Sequence, residues 1–195
     1  MLRTYQDYKA AQKEVAELTE QTLIKYVEDK PLTEQDFKNL EKAEPIARGM
    51  IAYDSRVYTS HLILAQILIA QGKRDEALER FRQCLLLAPP PEKRDEAAKF
   101  IVAETLNDTA NIYYSKNQFK EAESYVREAS LIYPNNIKYL ANLTQILLAA
   151  NRVEEARETL EKIRRIKPDS EALAALEPLV KDPNAGAEPK KPSQK

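Results

Sequence analysis

The feature that most constrains this chain is an internal period of about 34 residues between positions 103 and 170. Small, large apolar and proline residues recur at that interval, and a third copy with the same internal spacing lies upstream. The matching positions are Ala122 and Ala156, Val126 and Leu160, Pro134 and Pro168, with Ala77, Phe81 and Pro89 in the upstream copy. Periods of about 20 to 50 residues are typical of arrays in which each unit buries its apolar face against its neighbours.

The residue at the centre of each copy repeats as well. Gly72, Asn117 and Asn151 stand at equivalent places, and both residue types tolerate the left-handed backbone conformation that ends a helix. An acidic residue follows four positions later, where the helix dipole favours negative charge. These acidic residues are Glu76, Glu121 and Glu155. Together with the alanine and proline positions, this pattern resembles the tetratricopeptide repeat family.

The resemblance implies an all-α fold in which helix–turn–helix units stack into a right-handed α–α superhelix. We expect three repeats, at residues 58–91, 103–136 and 137–170, followed by a capping helix, so that the array covers residues 58–181. Arrays of this kind need a terminal helix to cover the open end of the stack. Residues 182–195 are rich in Pro, Ala and Lys, carry no large apolar side chain and are predicted to be a disordered tail.

Residues 1–57 are expected to form N-terminal helices that cap the array and make up a degenerate leading repeat. Residues 2–29 carry apolar side chains at spacings of three and four, which predicts a helix. Asp36 lies three positions after Thr33, which predicts a capping box at the start of the next helix. The apolar face of that helix consists of Phe37, Leu40, Ala43, Ala47, Met50 and Ile51. Pro45 is expected to kink or split it, because the proline ring removes an amide donor.

The period is interrupted once, because the interval from Ala77 to Ala122 is longer than that from Ala122 to Ala156. Three prolines at positions 89–91 exclude a helix there, and the helix-forming residues that follow predict an N-terminal extension of the next repeat. The added length corresponds to about three helical turns, so the extension keeps the same face. We therefore predict one continuous helix over residues 92–115 that projects past its neighbours; a separate short helix or loop over 92–102 is the alternative.

Composition argues against several classes of function. The chain has 30 Lys and Arg against 31 Asp and Glu, a formal net charge of −1, and so offers no large basic surface for nucleic acid. Its longest apolar-rich stretch, residues 62–70, is far shorter than the roughly 20 residues of a membrane span. No secretory signal is visible at the start. We therefore expect a cytoplasmic protein without membrane insertion and without a nucleic-acid partner.

No pattern in the sequence predicts a catalytic residue, a cofactor or a metal. His61 is the only histidine and Cys84 the only cysteine, and both stand at repeat positions that are usually buried, so we interpret them as core residues. The sequence contains no glycine-rich phosphate loop, metal-ligand cluster or nucleophile–histidine pair. These observations predict that the protein is not an enzyme.

The resemblance also implies where a partner would bind. In this family the first helix of each repeat lines a concave groove, and five positions per repeat face it. The second repeat places Glu104, Asn107, Asp108, Asn111 and Tyr114 at these positions. Carboxamides donate and accept hydrogen bonds together, which suits them to a peptide main chain, and a tyrosine is a common interface anchor. The predicted partner-binding residues are Asn107, Asn111, Tyr114, Lys138, Asn142, Gln145, Leu62 and Gln66.

Some members of the family bind chaperone tails through a carboxylate clamp of lysine, asparagine and arginine side chains. Asn107, Asn111 and Asn142 fall at three of its places by resemblance. Ala172 and Leu176, however, stand where a lysine and an arginine are required. A terminal carboxylate would lack its charge-assisted partners there, so we do not expect chaperone-tail binding.

We therefore expect a non-catalytic adaptor that binds a protein or peptide partner in the groove. The alternative is a structural or self-assembling subunit, a homo-oligomer that uses the N-terminal helix or the 92–115 helix for its contacts. A third interpretation is an accessory domain of a larger protein. The polar groove residues could also merely solvate an unused groove, or bind the N-terminal segment folded over it.

Overall fold

The computed structural model describes residues 2–28 and 30–181, and this part of the chain is helical throughout, without strands. One 3-10 turn, Pro91–Lys93, lies between the fourth and fifth α-helices. The α-helices are α1 Tyr5–Val27, α2 Glu34–Tyr53, α3 Tyr58–Ala70, α4 Arg74–Leu87, α5 Glu96–Ser115, α6 Phe119–Ile132, α7 Ile137–Ala149, α8 Val153–Ile166 and α9 Glu171–Lys181. The predicted all-α class is confirmed. The disordered tail predicted at 182–195 lies outside the described residues.

The chain divides into two compact units, unit 1 from Met1 to Ala98 and unit 2 from Lys99 to Lys195. In unit 1, α1 pairs with α2 and α3 with α4, while α3 also contacts α1 and α2. In unit 2, α7 packs against α6 and α8, and α9 packs against both α7 and α8, as expected of a capping helix. The first turn of α5 belongs to unit 1 and the rest of that helix to unit 2.

The turn inside each repeat has the predicted left-handed residue. Gly72, Asn117 and Asn151 have φ values of 78°, 60° and 59°. In each turn the amide of the next residue donates to the carbonyl five positions back, which closes the helix end as a Schellman motif. These bonds run from Lys73 to Leu68 at 2.9 Å, from Gln118 to Tyr113 at 2.9 Å and from Arg152 to Leu147 at 2.8 Å.

A fully buried alanine marks the second helix of every hairpin. Ala43 on α2, Ala77 on α4, Ala122 on α6 and Ala156 on α8 all have 0 % of their surface exposed. A methyl side chain at a helix contact lets the neighbouring helix approach closely. Because Ala43 shares this burial, α2 carries the same packing position as the second helices of the three clear repeats.

Two details of α2 differ from what the sequence suggested. Pro45 does not split the helix, which continues through it, and the carbonyl that loses its amide partner belongs to the exposed Glu41, where water can bond to it. Phe37, assigned to the apolar face, is 45 % exposed. It lies in the first turn of the helix, before the buried stripe that begins at Leu40.

The helix predicted over residues 92–115 begins four positions later than expected. Pro91–Lys93 form a 3-10 turn, and α5 starts at Glu96. Asp95 caps it, since its Oδ1 accepts a hydrogen bond from the amide of Ala98 at 2.8 Å. Asp95 therefore precedes the helix as its cap. From Glu96 onward the helix is continuous, with 20 residues against 13 in α3 and in α7.

A network of four charged side chains links the second helices of two hairpins in each unit. In unit 1, Lys73 and Arg48 contact Glu44 at 2.7 and 2.8 Å, and Arg48 also contacts Glu76 at 2.9 Å. The same arrangement recurs at a constant offset in unit 2, where the members are Glu123, Arg127, Arg152 and Glu155. Isolated surface pairs contribute little to stability, but pairs that share partners also define one alignment of the two helices.

Asp36 fastens α1 to the start of α2. Its carboxylate accepts hydrogen bonds from Lys25 Nζ at 2.8 Å, Thr22 Oγ1 at 3.0 Å and the Thr33 amide at 2.7 Å. Thr33 completes the predicted capping box by accepting from the amide of Asp36. The hydrogen bond from Lys25, and next those from Thr33, hold the pKa of the Asp36 carboxyl well below its usual range.

We expect Asp36→Asn to lower the melting temperature at neutral pH. The melting temperature of this variant should also fall less steeply as the pH is lowered. The pKa of Asp36 is lower in the folded state than the value of about 3.9 expected in the unfolded chain. Its stabilisation is therefore present above that value and is lost as the pH falls through the folded-state pKa. Circular dichroism melts between about pH 7 and pH 2 measure this. The control Glu41→Gln, at an exposed position of α2, should follow the wild type; parallel profiles for Asp36→Asn and wild type would contradict the assignment.

Candidate functional site

Helices α5 and α7 of unit 2 are joined along their length by polar side chains. Both are the first helices of their repeats, so they carry the positions predicted to face a groove. We call these side chains the polar seam. Its members are Glu104, Asn107, Asp108 and Asn111 on α5, with Lys138, Tyr139 and Asn142 on α7.

Three carboxamides form the centre of the polar seam. Asn142 Nδ2 donates to Asn107 Oδ1 at 2.7 Å and to Asn111 Oδ1 at 3.2 Å. Asn111 is exposed, as predicted for a groove position, whereas Asn107 is 0 % exposed. Asn107 therefore does not face solvent as expected; it lies beneath Asn142 and holds the amide of Asn142 in place.

Glu104 binds two donors from the next repeat. Its carboxylate accepts from Lys138 Nζ at 2.6 Å and from Tyr139 Oη at 2.6 Å. Burial, and then the hydrogen bond to Glu104, raises the pKa of the Tyr139 hydroxyl, so this tyrosine remains a neutral donor. Lys138 was predicted to contact a partner, and the structure places its ammonium group on Glu104. Glu104 and Lys138 stand at equivalent positions of successive repeats and carry opposite charges. The ion pair between them could therefore have been predicted from the sequence.

Asp108 is the member of the polar seam without a counter-charge. Burial, and to a lesser extent the nearby Glu104, raises the pKa of its carboxyl to about 6 against the opposing effects of Lys138 and of the Asn107 amide. Among the described residues, no lysine or arginine lies within ion-pairing distance of Asp108. The sequence interpretation placed Asp108 at a groove position but assigned it no role.

The remaining predicted partner-binding residues lie in two places. In unit 2, Tyr114 on α5 is 38 % exposed, with its ring 5.9 Å from that of Phe119, and Gln145 on α7 is exposed. Leu62 and Gln66 are half-buried on α3 and belong to unit 1. The structure therefore brings Asn111, Asn142 and their neighbours together in unit 2, and describes Leu62 and Gln66 in a separate unit.

Helix α1 packs as the first helix of a leading hairpin. It pairs with α2 and contacts α3. Tyr8 Oη lies 2.9 Å from Ser60 Oγ on α3, and the Tyr8 ring lies 5.6 Å from that of Tyr53 at the end of α2. Residues of α1 thus occupy the place that the first helix of a repeat takes beside the next one.

The residues considered for chemistry lie in the core. His61 is buried with Nε2 2.9 Å from the carbonyl oxygen of Ser55, and Cys84 is buried on α4. Within residues 2–28 and 30–181 there is no group of three or more His, Cys, Asp or Glu side chains that could hold a metal ion. None of the helices in the same ranges has the length and apolar character needed to cross a membrane.

Comparison with protein families gives two matches, both to models described as tetratricopeptide repeat (TPR). One covers residues 60–95 and the other residues 113–177. Together they account for more than half of the 195 residues. The matched segments include α3 and α4 in unit 1 and α6 to α8 in unit 2.

Two curated relatives match parts of the chain. FK506-binding protein 59 of Drosophila melanogaster is 26 % identical over 98 residues, which are 50 % of this chain and 22 % of that protein. DnaJ homolog subfamily C member 7 of Homo sapiens is 32 % identical over 72 residues, 37 % of this chain and 15 % of that protein. The chain therefore spans less than a quarter of the length of these relatives.

Solved structures share the fold. A Podosopora anserina protein described as a kinesin light chain with nearly identical TPR-like repeats superimposes with a TM-score of 0.63 at 15 % identity. The superposition covers 89 % of this chain and 84 % of that one. At this level of identity the likeness concerns the arrangement of helices.

We expect Asp108→Asn to stabilise the protein above about pH 6 and to have little effect near pH 4. The pKa of Asp108 is higher in the folded state, at about 6, than in the unfolded chain. Folding therefore opposes the charged form, and removing the charge should raise the free energy of unfolding by about 1–3 kcal/mol at pH 8. Urea unfolding at the two pH values measures the difference. Asp169→Asn, at an exposed position between α8 and α9, is the matched control; an equal effect of Asp108→Asn at both pH values would contradict the assignment.

Proposed function

Because the chain belongs to the tetratricopeptide repeat family, we propose that it is a non-catalytic scaffold protein that binds a peptide segment of a partner against α5 and α7. Members of this fold generally serve as interaction scaffolds. The polar seam and the exposed side chains beside it form the binding surface. A partner helix is the other form in which the segment could bind.

The observation that carries this proposal is the set of carboxamides between α5 and α7. Asn111 uses its Oδ1 to accept from Asn142, which leaves the Nδ2 hydrogens of Asn111 as donors for a main-chain carbonyl. Asn142 is itself held by the buried Asn107 at 2.7 Å. A carboxamide that is fixed in this way loses little conformational entropy when a peptide binds.

Tyr114 supplies the apolar part of the surface. It follows Asn111 by three positions, so the two side chains share one face of α5. Its ring is tilted against that of Phe119 at a centroid distance of 5.9 Å, and partial burial of this kind holds the ring in one orientation. A fixed aromatic ring beside a donor suits a peptide that presents alternating apolar side chains and main-chain carbonyls.

We expect the double variant Asn111→Ala/Tyr114→Ala to abolish most peptide binding while the fold remains intact. The probe is an mRNA-displayed library of random nine-residue peptides flanked by linkers, selected on the immobilised full chain. Peptides enriched on the wild type should bind the double variant at least about tenfold more weakly, as expected for a lost hydrogen bond and aromatic anchor. Fluorescence polarisation measures the affinities, and circular dichroism checks helicity.

The matched control is Asn135→Ala, at an exposed position between α6 and α7, which should bind as the wild type does. Enriched peptides that bind the double variant with unchanged affinity would place the binding surface elsewhere. A library from which no peptide is enriched would contradict the proposed function.

Self-assembly is a second candidate function, favoured by apolar side chains at one end of the α1–α2 hairpin. Ile24 and Val27 in the last turns of α1 are 45 % and 73 % exposed, and Phe37 in the first turn of α2 is 45 % exposed. Exposed apolar side chains grouped at one end of a hairpin are typical of a contact surface. This surface fits the alternative in which the N-terminal helix makes homomeric contacts.

If this surface joins two copies, the double variant Val27→Ser/Phe37→Ser should be monomeric where the wild type is dimeric. Light scattering coupled to gel filtration gives the mass of each protein at concentrations up to about 200 µM. Dimers with dissociation constants up to roughly this concentration would be detected. Leu131→Ser is the control, because Leu131 on α6 is 80 % exposed and lies in unit 2. A monomeric wild type over the whole range would rule out this function.

A further inference from the structure

Every charged side chain of the polar seam takes part in an ion pair, except that of Asp108. Lys138 is held by Glu104 at 2.6 Å, and Tyr139 donates to the same carboxylate at 2.6 Å. Asp108, one helical turn after Glu104 on α5, interacts only with the side chain of Asn107 and with these more distant charges. Asp108 is half-buried, and a carboxylate that is partly removed from water is unfavourable unless a counter-charge reaches it.

A second group at the same place also lacks a partner. Asn107 is 0 % exposed, and its Nδ2 makes no hydrogen bond of normal geometry although it is buried. The Asn107 amide favours the charged form of the neighbouring Asp108 carboxyl, and that carboxylate is the acceptor its Nδ2 can use. The donor thus favours a carboxylate that has no cation within ion-pairing distance, so a positive group from outside would complete the site.

We propose that Asp108 pairs with a lysine or arginine side chain of the bound peptide, so that the surface between α5 and α7 selects peptides that carry a cationic residue. This inference rests on the proposed peptide-binding function and adds a substrate class to it. The incoming cation would neutralise Asp108 while the Asn107 amide keeps the carboxylate in place.

The charges of the site favour a cationic residue over an acidic one. The seam holds Glu104 and Asp108 against the single cation Lys138, which is already paired. Leu176, at the place where a clamp for carboxylates requires an arginine, is a buried apolar residue of α9. An acidic peptide would therefore meet a surplus negative charge and no available cation in the seam.

The donor set fits an organic cation better than a metal ion. Asp108 offers one carboxylate, and its neighbours are carboxamides whose oxygens already accept from Asn142. Magnesium and calcium need about six oxygen ligands, and no described cluster of three or more acidic, His or Cys side chains supplies them. An ammonium or guanidinium group needs only one carboxylate and brings its own flexible stem.

The test is a double-mutant cycle between Asp108 and the peptide cation. The displayed library described above is selected in parallel on the wild type and on Asp108→Asn. We expect lysine or arginine to be enriched at one peptide position on the wild type only. An enriched peptide, synthesised with blocked ends, should bind the wild type about 10- to 100-fold more weakly when its cation is replaced by norleucine, the range of a charge-assisted bond. The same replacement should leave binding to Asp108→Asn unchanged.

Asp169→Asn serves as the control, since it removes an equal charge at an exposed position between α8 and α9. It should retain both the enrichment and the effect of norleucine. Enriched peptides without a cationic preference, or an equal norleucine effect on wild type and Asp108→Asn, would overturn this inference and leave the proposed function standing. Failure to enrich any peptide would overturn both.

The pH dependence of binding gives a separate measurement. The titratable groups that interact with Asp108 are Glu104 on the same helix and Lys138 and Tyr139 on α7. The pKa of Asp108, about 6, means that the carboxylate is charged at pH 7.5 and largely neutral at pH 5. The cationic peptide should bind the wild type about tenfold more weakly at pH 5 than at pH 7.5, and Asp108→Asn with equal affinity at both. Equal affinity of the wild type at both values would also overturn the inference.

Discussion

Close packing at a buried alanine is the contact on which both units of this chain depend. Ala43, Ala77, Ala122 and Ala156 are each completely enclosed on the second helix of a hairpin. A larger side chain at such a position would have to displace the neighbouring helix. Each first helix is paired with the second helix of its own hairpin, so the distance between second helices also sets the distance between first helices. The first helices carry the groove positions. Hydrogen bonds such as that between Asn142 and Asn107, at 2.7 Å across two repeats, require that separation to be constant.

The periodic part of the fold could be predicted from the sequence because each local signal had a single physical solution. Asn117 and Asn151 stand where the backbone must become left-handed, and the structure confirms both. Interruptions of the period were harder. Asp95 could equally belong to a helix or cap one, and only the geometry of the preceding 3-10 turn decides for the cap. Phe37 fits the helical stripe by spacing alone, yet it lies outside the buried part of α2.

The candidate site was predictable as a location and less so as a set of contacts. Spacing alone brought Asn111 and Asn142 to neighbouring helices, because positions that recur with the repeat come to lie side by side. The burial of Asn107 and the pairing of Glu104 with Tyr139 depend on which rotamers fit between the two helices, and a one-dimensional pattern does not contain that information. Asp108 illustrates the difference most clearly. Its identity suggests an ordinary surface carboxylate, whereas its partial enclosure makes it a charge that works against folding.

The paired charge networks define matching points along the chain, because every member in unit 1 is separated from its counterpart in unit 2 by the same interval. The contacts of Glu44 with Arg48 and Lys73, and of Arg48 with Glu76, recur between those counterparts. Consider a segment of unit 1 and a segment of unit 2 that both begin and end at equivalent members of these networks. The two segments would carry side chains of the same charge at each of their ends. Recombination between such points would exchange whole modules without placing like charges together, and this offers a natural unit for building shorter or longer versions of the array.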